Sequence, residues 1–354
     1  MKEAIDSLIY PLLTKYAHIG IVVGIIAGKQ TAVFGYGKVN KASPAIPEGE
    51  TLFEIGSITK VFTALLLANM VEEGLVSLDT PVRALLPMFP NLPEEMTLLR
   101  LVTHTSGLPR LPANFFRFAG WKPRNPYANY SPARLYAYLS KYKAPPEPQK
   151  PPSYLYSNLG FGVLGQALGQ KLGTSYEQAV IDRICAPLGL SDTHFTLTAE
   201  QQQRLAAPHT ARGKLTLNWD FATMAGAGAL RSTARDMLRF LAAHLGQFST
   251  PLQPALDLCL KIQVEKPVPQ SQLLGVALGW HVSATGQKPA RIYWHNGGTG
   301  GYSSFMGFVK EGGRGVVILS NYGLTSEPEI DQLGMAVLKL LSRTTYGKHE
   351  LEDS

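Results

Sequence analysis

Ser57-Ile-Thr-Lys60, Tyr156-Ser-Asn158 and His295-Asn-Gly297 occur in that order along the chain, and the last runs on into Gly298-Thr-Gly-Gly301. Together they hold a hydroxyl, an amine, a phenol and a glycine-rich stretch of backbone, the groups that acyl transfer through a covalent intermediate requires. A serine hydroxyl attacks poorly at neutral pH unless a base takes its proton. Lys60 becomes such a base if burial disfavours its charged form. Tyr156 offers a second proton carrier, and the Asn158 amide can hydrogen-bond the lysine or a substrate amide. Glycines after His295 let a substrate lie close against backbone, so that a carbonyl attacked by Ser57 places its oxygen between the N–H groups of Ser57 and Gly298.

Spacing alone does not choose among copies. Ser-x-x-Lys recurs at Ser140/Lys143, Tyr-x-Asn at Tyr127/Asn129, and His-x-Gly at His18/Gly20 and His244/Gly246. Context separates the first pair. Apolar residues at helical spacing follow Ser57 as far as Gly74, a glycine placed to end the helix, so Lys60 lies one turn from Ser57 on the same face. Ser57 then sits at a helix amino end, where unpaired N–H groups favour developing negative charge. Ser140 instead runs into a proline-rich stretch that forbids a continuing helix. Tyr156 and Asn158 stand on a loop ahead of a buried, glycine-rich helix. Tyr127-Ala-Asn129 also sits between prolines, and local physics leaves it open. Taken singly, each motif also has a plain structural reading: Ser57 as a helix cap, Tyr156 as a half-buried aromatic, His295 as a chance residue in a glycine-rich hairpin.

The elements that must position these residues follow from the pattern. A helix and two or three strands lead to the Ser57 helix, and a long helical, loop-rich middle runs to about residue 275. Strands return around 279–282, 291–295, 302–309 and 315–320, and 330–341 reads as a closing helix. The first and last segments are expected to share one antiparallel sheet flanked by helices, an α/β (α+β) architecture. The expected division is an α/β lobe from 1–75 and 275–354, with a mostly helical lobe over 76–274 and the site at their junction.

Several matches carry no chemistry. Gly160-Phe-Gly162-Val-Leu-Gly165 fits a dinucleotide fingerprint but follows a loop instead of a strand, so helix packing accounts for it better. There is no Gly-x-Ser-x-Gly elbow of the α/β-hydrolase kind. His104 is read as bracing its turn, Thr233-Ala-Arg-Asp236 as a helix-start capping box, and the aromatic run Asn114–Trp121 as cover for the core.

Phe53-Glu-Ile-Gly-Ser57-Ile-Thr-Lys60, Thr103-His-Thr-Ser-Gly-Leu-Pro109, Tyr156-Ser-Asn158-Leu-Gly-Phe-Gly, Pro187-Leu-Gly-Leu-Ser-Asp-Thr-His-Phe195, Ser232-Thr-Ala-Arg-Asp-Met and His295-Asn-Gly-Gly-Thr-Gly-Gly together resemble the penicillin-recognising serine hydrolases. The group is the one holding class C β-lactamases, D-Ala-D-Ala carboxypeptidases, D-aminopeptidases and family VIII carboxylesterases. The resemblance implies a β-lactamase/transpeptidase-like fold, Ser57 as the acylated nucleophile and Lys60 with Tyr156 as the proton-transfer pair. It also implies Asn158 as a lysine and substrate contact, and His295, Asn296 and Gly297 as the substrate-binding strand. Ser57 and Gly298 would supply the oxyanion donors. The acylation base stays open between Lys60 and Tyr156. The expected activity is hydrolysis of amide or ester bonds in β-lactams or D-amino-acid peptides, with a short-chain carboxylesterase and a non-hydrolytic penicillin-binding sensor as alternatives. Class C β-lactamases have lysine where this chain has His295, and histidine is charged only in part near neutrality, which argues against strong cephalosporin hydrolysis.

Composition fits an enzyme-sized unit. The 354 residues are 45% hydrophobic, enough for a large core. A net charge of +7 is spread without a long basic run, so it reads as solubility or mild attraction to anionic surfaces and not as nucleic-acid binding. Cys185 and Cys259 read as free buried thiols. No metal-ligand spacing occurs among the histidines and cysteines, and no cofactor is implied. The first ten residues are too acidic and too poor in apolar residues for a secretory signal, and 19–28 is too short to span a bilayer. The expectation is a cytoplasmic protein or a processed periplasmic or secreted chain, acting on a small molecule or short peptide.

Overall fold

The computed structural model describes residues 1–343 except 117, 144–152, 269–272, 285–289 and 324–328. The proline-rich stretch after Lys143 therefore lies mostly outside the described residues; the helix Pro132–Leu139 before it ends at Ser140.

Ten strands are described: β1 (Gly20–Ala27), β2 (Gln30–Gly37), β3 (Leu52–Glu54), β4 (Arg231–Thr233), β5 (Val264–Glu265), β6 (Leu273–Val276), β7 (His281–Ala284), β8 (Arg291–Gly298), β9 (Ser303–Val309) and β10 (Arg314–Ser320). Eight form one antiparallel sheet in the order β2-β1-β10-β9-β8-β7-β6-β5. The first and last segments of the chain share this sheet, as expected. Its strand run begins at Val264, ahead of residue 275, because β5 pairs with β6 and β6 with β7. The short β3–β4 pair forms a second sheet that no periodicity announced.

β1 is buried at every position, which explains its unbroken apolar sequence: both faces of the sheet are covered. Ile21, Val23 and Ile25 face one core with helices α1 (Lys2–Lys15) and α5 (Glu329–Arg343). Val22 and Ile26 face the other core, under α2 (Thr59–Glu72) and α4 (Ala234–His244). This alternation, set by the two-residue period of a strand, holds along β8 too and decides what reaches the site.

α2 is enclosed from Thr59 to Met70, a helix apolar on all sides because it runs through the larger core. It ends as its sequence requires: Gly74 has φ +71°, and Leu75 N–H donates back to the Met70 carbonyl. The glycines of α3 (Asn158–Leu172) serve packing. A Cβ at Gly162 would lie 2.7 Å from Met224, and one at Gly165 3.1 Å from the Tyr176 ring. Thr233 caps α4 by accepting the Asp236 N–H, but the Asp236 carboxylate turns to Asp192 N–H and Thr193, so only half of the expected capping box forms. Within 114–121, Phe115 is buried while Phe116 stays exposed. Both cysteines are buried and unbonded to each other.

Candidate active site

Ser57 does not cap α2. It occupies a separate tight turn, Gly56–Ile58, and Ile58 precedes the helix without a side-chain cap. This turn leaves Ser57 partly accessible while Lys60, one turn on, is fully enclosed. Lys60 Nζ lies 3.0 Å from Ser57 Oγ, 2.9 Å from Asn158 Oδ1 and 2.6 Å from the Ala227 carbonyl. Burial, reinforced by the positive charge of Arg110, holds the Lys60 amine well below its ordinary range.

A neutral amine has two N–H groups and one lone pair. The Asn158 and Ala227 oxygens use the two N–H groups, leaving the lone pair for the Ser57 O–H. The deprotonated lysine is therefore satisfied on every side, and its free acceptor points at the hydroxyl it would activate.

Tyr156 is driven the other way. Burial raises its phenol above the usual range against the opposing pull of a Ser57 hydrogen bond and of Arg110, so it stays protonated at neutral pH. Its ring lies under the Lys60 nitrogen at 4.9 Å and against His104, with centroids 4.4 Å apart. His104 holds the loop in place: its Nδ1 accepts the Ser157 N–H at 3.0 Å and its carbonyl accepts the Leu155 N–H at 2.8 Å. Ser157 then caps α3 through the Gly160 N–H, which seats Asn158 in the first turn, aimed at Lys60.

Gly298 arrives from the other end of the chain. Gly56 has φ +50°, and a Cβ there would lie 2.6 Å from Gly298 N. A Cβ at Gly297 would fall 2.0 Å from the Ile55 carbonyl oxygen. That carbonyl is also held by Ser304 Oγ at 2.9 Å. Glycine at both positions is what lets the carboxyl-terminal end of β8 lie against the Ser57 turn.

His295 and Asn296 part company. Tyr293, His295 and Gly297 share the face of β8 turned to the larger core, whereas Ile292 and Trp294 pack in the α5 core and Asn296 follows them. Asn296 Nδ2 donates to Asp331 Oδ2 of α5 at 2.6 Å. The structure thus does not bring the Asn296 side chain to the site, because a regular strand cannot present two successive side chains on one face. His295 is buried, stacked on His281 with centroids 5.0 Å apart, and donates from Nδ1 to the Asn296 carbonyl at 2.6 Å. Burial, His281 and Lys60 keep its imidazole neutral at ordinary pH.

Three neighbours escaped sequence reasoning. Tyr127, weighed only as a rival of Tyr156, accepts the Asn158 Nδ2 hydrogen bond at 3.0 Å, while Asn129 is exposed. The Ala227 carbonyl reaches Lys60 because its neighbour Gly226 packs on α3, where a Cβ would lie 2.7 Å from the Phe161 carbonyl. Arg110, exposed, carries its guanidinium 5.2 Å over the Tyr156 ring. The rival copies serve elsewhere: Ser140 and Lys143 are exposed, and His244 packs against Trp280 and Phe308 in the core. A cavity of about 870 Å³ touches Ala225 and Ala229 but none of Ser57, Lys60 and Tyr156, so it is not centred on this chemistry. Among the described residues no cluster could hold a metal ion, and no helix is long and apolar enough to cross a membrane.

The Beta-lactamase family model matches residues 5–338, and the chain belongs to that family. It is 27% identical over 315 residues to the D-alanyl-D-alanine-carboxypeptidase/endopeptidase AmpH of Escherichia coli K12, covering 85% of this chain and 78% of that one. It is 25% identical over 353 residues to a beta-lactamase of Pseudomonas fluorescens, covering 91% and 93%. Among solved structures, the class C beta lactamase from Rhodobacter sphaeroides superposes with a TM-score of 0.82 at 24% identity, over 96% of this chain and 99% of that one, which bears out the expected fold.

Proposed function

We propose that this chain is a serine hydrolase acting through an acyl-enzyme on Ser57, with D-amino-acid peptides or β-lactams as substrates. The observation that carries the reading is the set of three contacts around the Lys60 nitrogen, which leaves one lone pair directed at Ser57 Oγ.

Lys60 and Tyr156 have ionisations pushed in opposite directions, which supports Lys60 as the base and Tyr156 as the acid. As Ser57 Oγ bonds to the substrate carbonyl carbon, Lys60 takes its proton and the oxyanion settles between the N–H groups of Ser57 and Gly298. Collapse breaks the bond to the leaving group, which receives the Tyr156 proton. Lys60 then returns a proton to Tyr156, and both groups are reset. Water attacks the acyl carbon by the same route in reverse and frees Ser57. Asn158 orients Lys60 and offers its amide to the substrate, while His295 and Gly297 shape the strand on which the substrate lies.

A second reading, hydrolysis of short acyl esters, is favoured by one observation: His295 is enclosed and held toward its neutral form, so position 295 presents no fixed charge to a substrate carboxylate. A chromogenic β-lactam, a p-nitrophenyl ester and a D-Ala-D-Ala peptide, each followed for turnover and for intact mass, separate these readings. Turnover ranks the substrates, a stable adduct without turnover marks a sensor, and a Ser57→Ala variant that retains activity and adduct ends the assignment.

A further inference from the structure

The polar groups around Ser57 are short of fixed charge. Lys60 is enclosed and held toward its neutral form. His104, His281 and His295 are all buried, and burial keeps each imidazole neutral. Arg110 differs from all of them: a guanidinium does not lose its proton in a protein, and this one is exposed.

Its backbone is anchored. The Arg110 carbonyl accepts the N–H groups of Asn158 at 3.1 Å and Leu159 at 3.2 Å, which ties it to the first turn of α3. Its side chain is aimed: the guanidinium carbon stands 5.2 Å over the ring of Tyr156. Its charge reaches inward, since it acts on Lys60, Tyr156, Tyr127 and His104. Among the described residues no carboxylate forms an ion pair with it, in contrast to Arg183, Arg204, Arg231 and Arg235. An exposed, unpaired guanidinium fixed beside the proton-donating phenol is a receptor for a planar anion, because its N–H groups match the two oxygens of a carboxylate.

We propose that Arg110 reads the terminal carboxylate of a peptide substrate. This rests on the serine hydrolase reading above and adds to it the group that selects a free carboxyl end over a blocked one. The carboxylate lies on the residue leaving from the scissile bond, so its pairing with Arg110 also draws that leaving amine toward Tyr156.

The test compares a D-Ala-D-Ala peptide with the same peptide ending in a carboxamide, using the wild type, Arg110→Gln and Arg110→Lys. The wild type is expected to prefer the free carboxylate, and Arg110→Gln to raise KM for that substrate about tenfold with a much smaller effect on the carboxamide. Arg110→Lys should recover part of the preference, since it keeps the charge and loses the fork. Equal losses on both substrates would show a role in holding Tyr156 alone and overturn the proposal, as would a wild type indifferent to the blocked end. A wild type that forms no Ser57 adduct with either peptide, the ester or the β-lactam removes the serine hydrolase reading itself, a result distinct from indifference.

Discussion

Asn296 and Asp331 are joined at 2.6 Å on the face of β8 turned away from Ser57, so the strand that lines the site is pinned from behind by a partly buried carboxylate. Burial pushes the Asp331 carboxyl up from 3.8 to about 6, against the pull of the Asn296 hydrogen bond. The folded protein therefore binds this proton more tightly than the unfolded chain, and stability falls as pH rises from 3.8 through about 6. Asp331→Asn should flatten that stretch of the curve and exceed the wild type above it by on the order of 2 kcal/mol. Denaturant melts at pH 4, 5, 6 and 7 check this; a parallel decline in both proteins would refute it.

Gly297→Ala should damage stability and activity together. The new methyl would fall 2.0 Å from the Ile55 oxygen and 2.5 Å from Ser304 Oγ, forcing β8 off the Ser57 turn. A loss of about 1–3 kcal/mol in chemical melts and of about 10²-fold in acylation rate is expected. Gly49→Ala, whose methyl would meet nothing closer than 3.6 Å, is the matched control and should change neither.

Acylation should rise with pH through the depressed ionisation of Lys60 and fall only at high pH, where Tyr156 gives up its raised proton. Because Arg110 helps to keep Lys60 neutral, Arg110→Gln should move the acid limb to higher pH. The same depressed lysine makes stability grow with pH below 10.5, since the unfolded chain binds that proton more tightly. Stopped-flow burst rates across the pH range report the limbs, and an acid limb unmoved by the substitution would separate Arg110 from Lys60.

Asn158→Ala removes one of the acceptors that orient Lys60 and should slow acylation about 10²-fold. Tyr127→Phe deletes only the partner of the Asn158 amide and should cost about 1 kcal/mol of stability. Its acylation rate should stay closer to wild type than that of Asn158→Ala. Burst kinetics and thermal melts on the two variants settle the order.

Much of this was legible before any fold was known. The apolar helix after Ser57 is strong enough in pattern to set Lys60 beside it, and a glycine at 74 ends it where the sequence said it would. β8 was legible as a strand, yet assigning both His295 and Asn296 to the substrate ignored its alternation, and Asn296 went to Asp331. Tyr127, the Ala227 carbonyl and Arg110 could not be read because each earns its place through a contact made far along the chain, with no local spacing to mark it. The β3–β4 pair failed for a simpler reason: three residues are too few to show a period.

β1 finds its second partner only in β10, near the far end of the chain, and the Ser57 turn is closed only by β8. During synthesis the amino-terminal hairpin must wait on the ribosome with one apolar edge unclaimed, a hazard for sticking to other nascent strands. If Ser57 is the nucleophile proposed above, it stays unarmed for the same interval, and a growing polypeptide cannot be acylated there until β8 has been made.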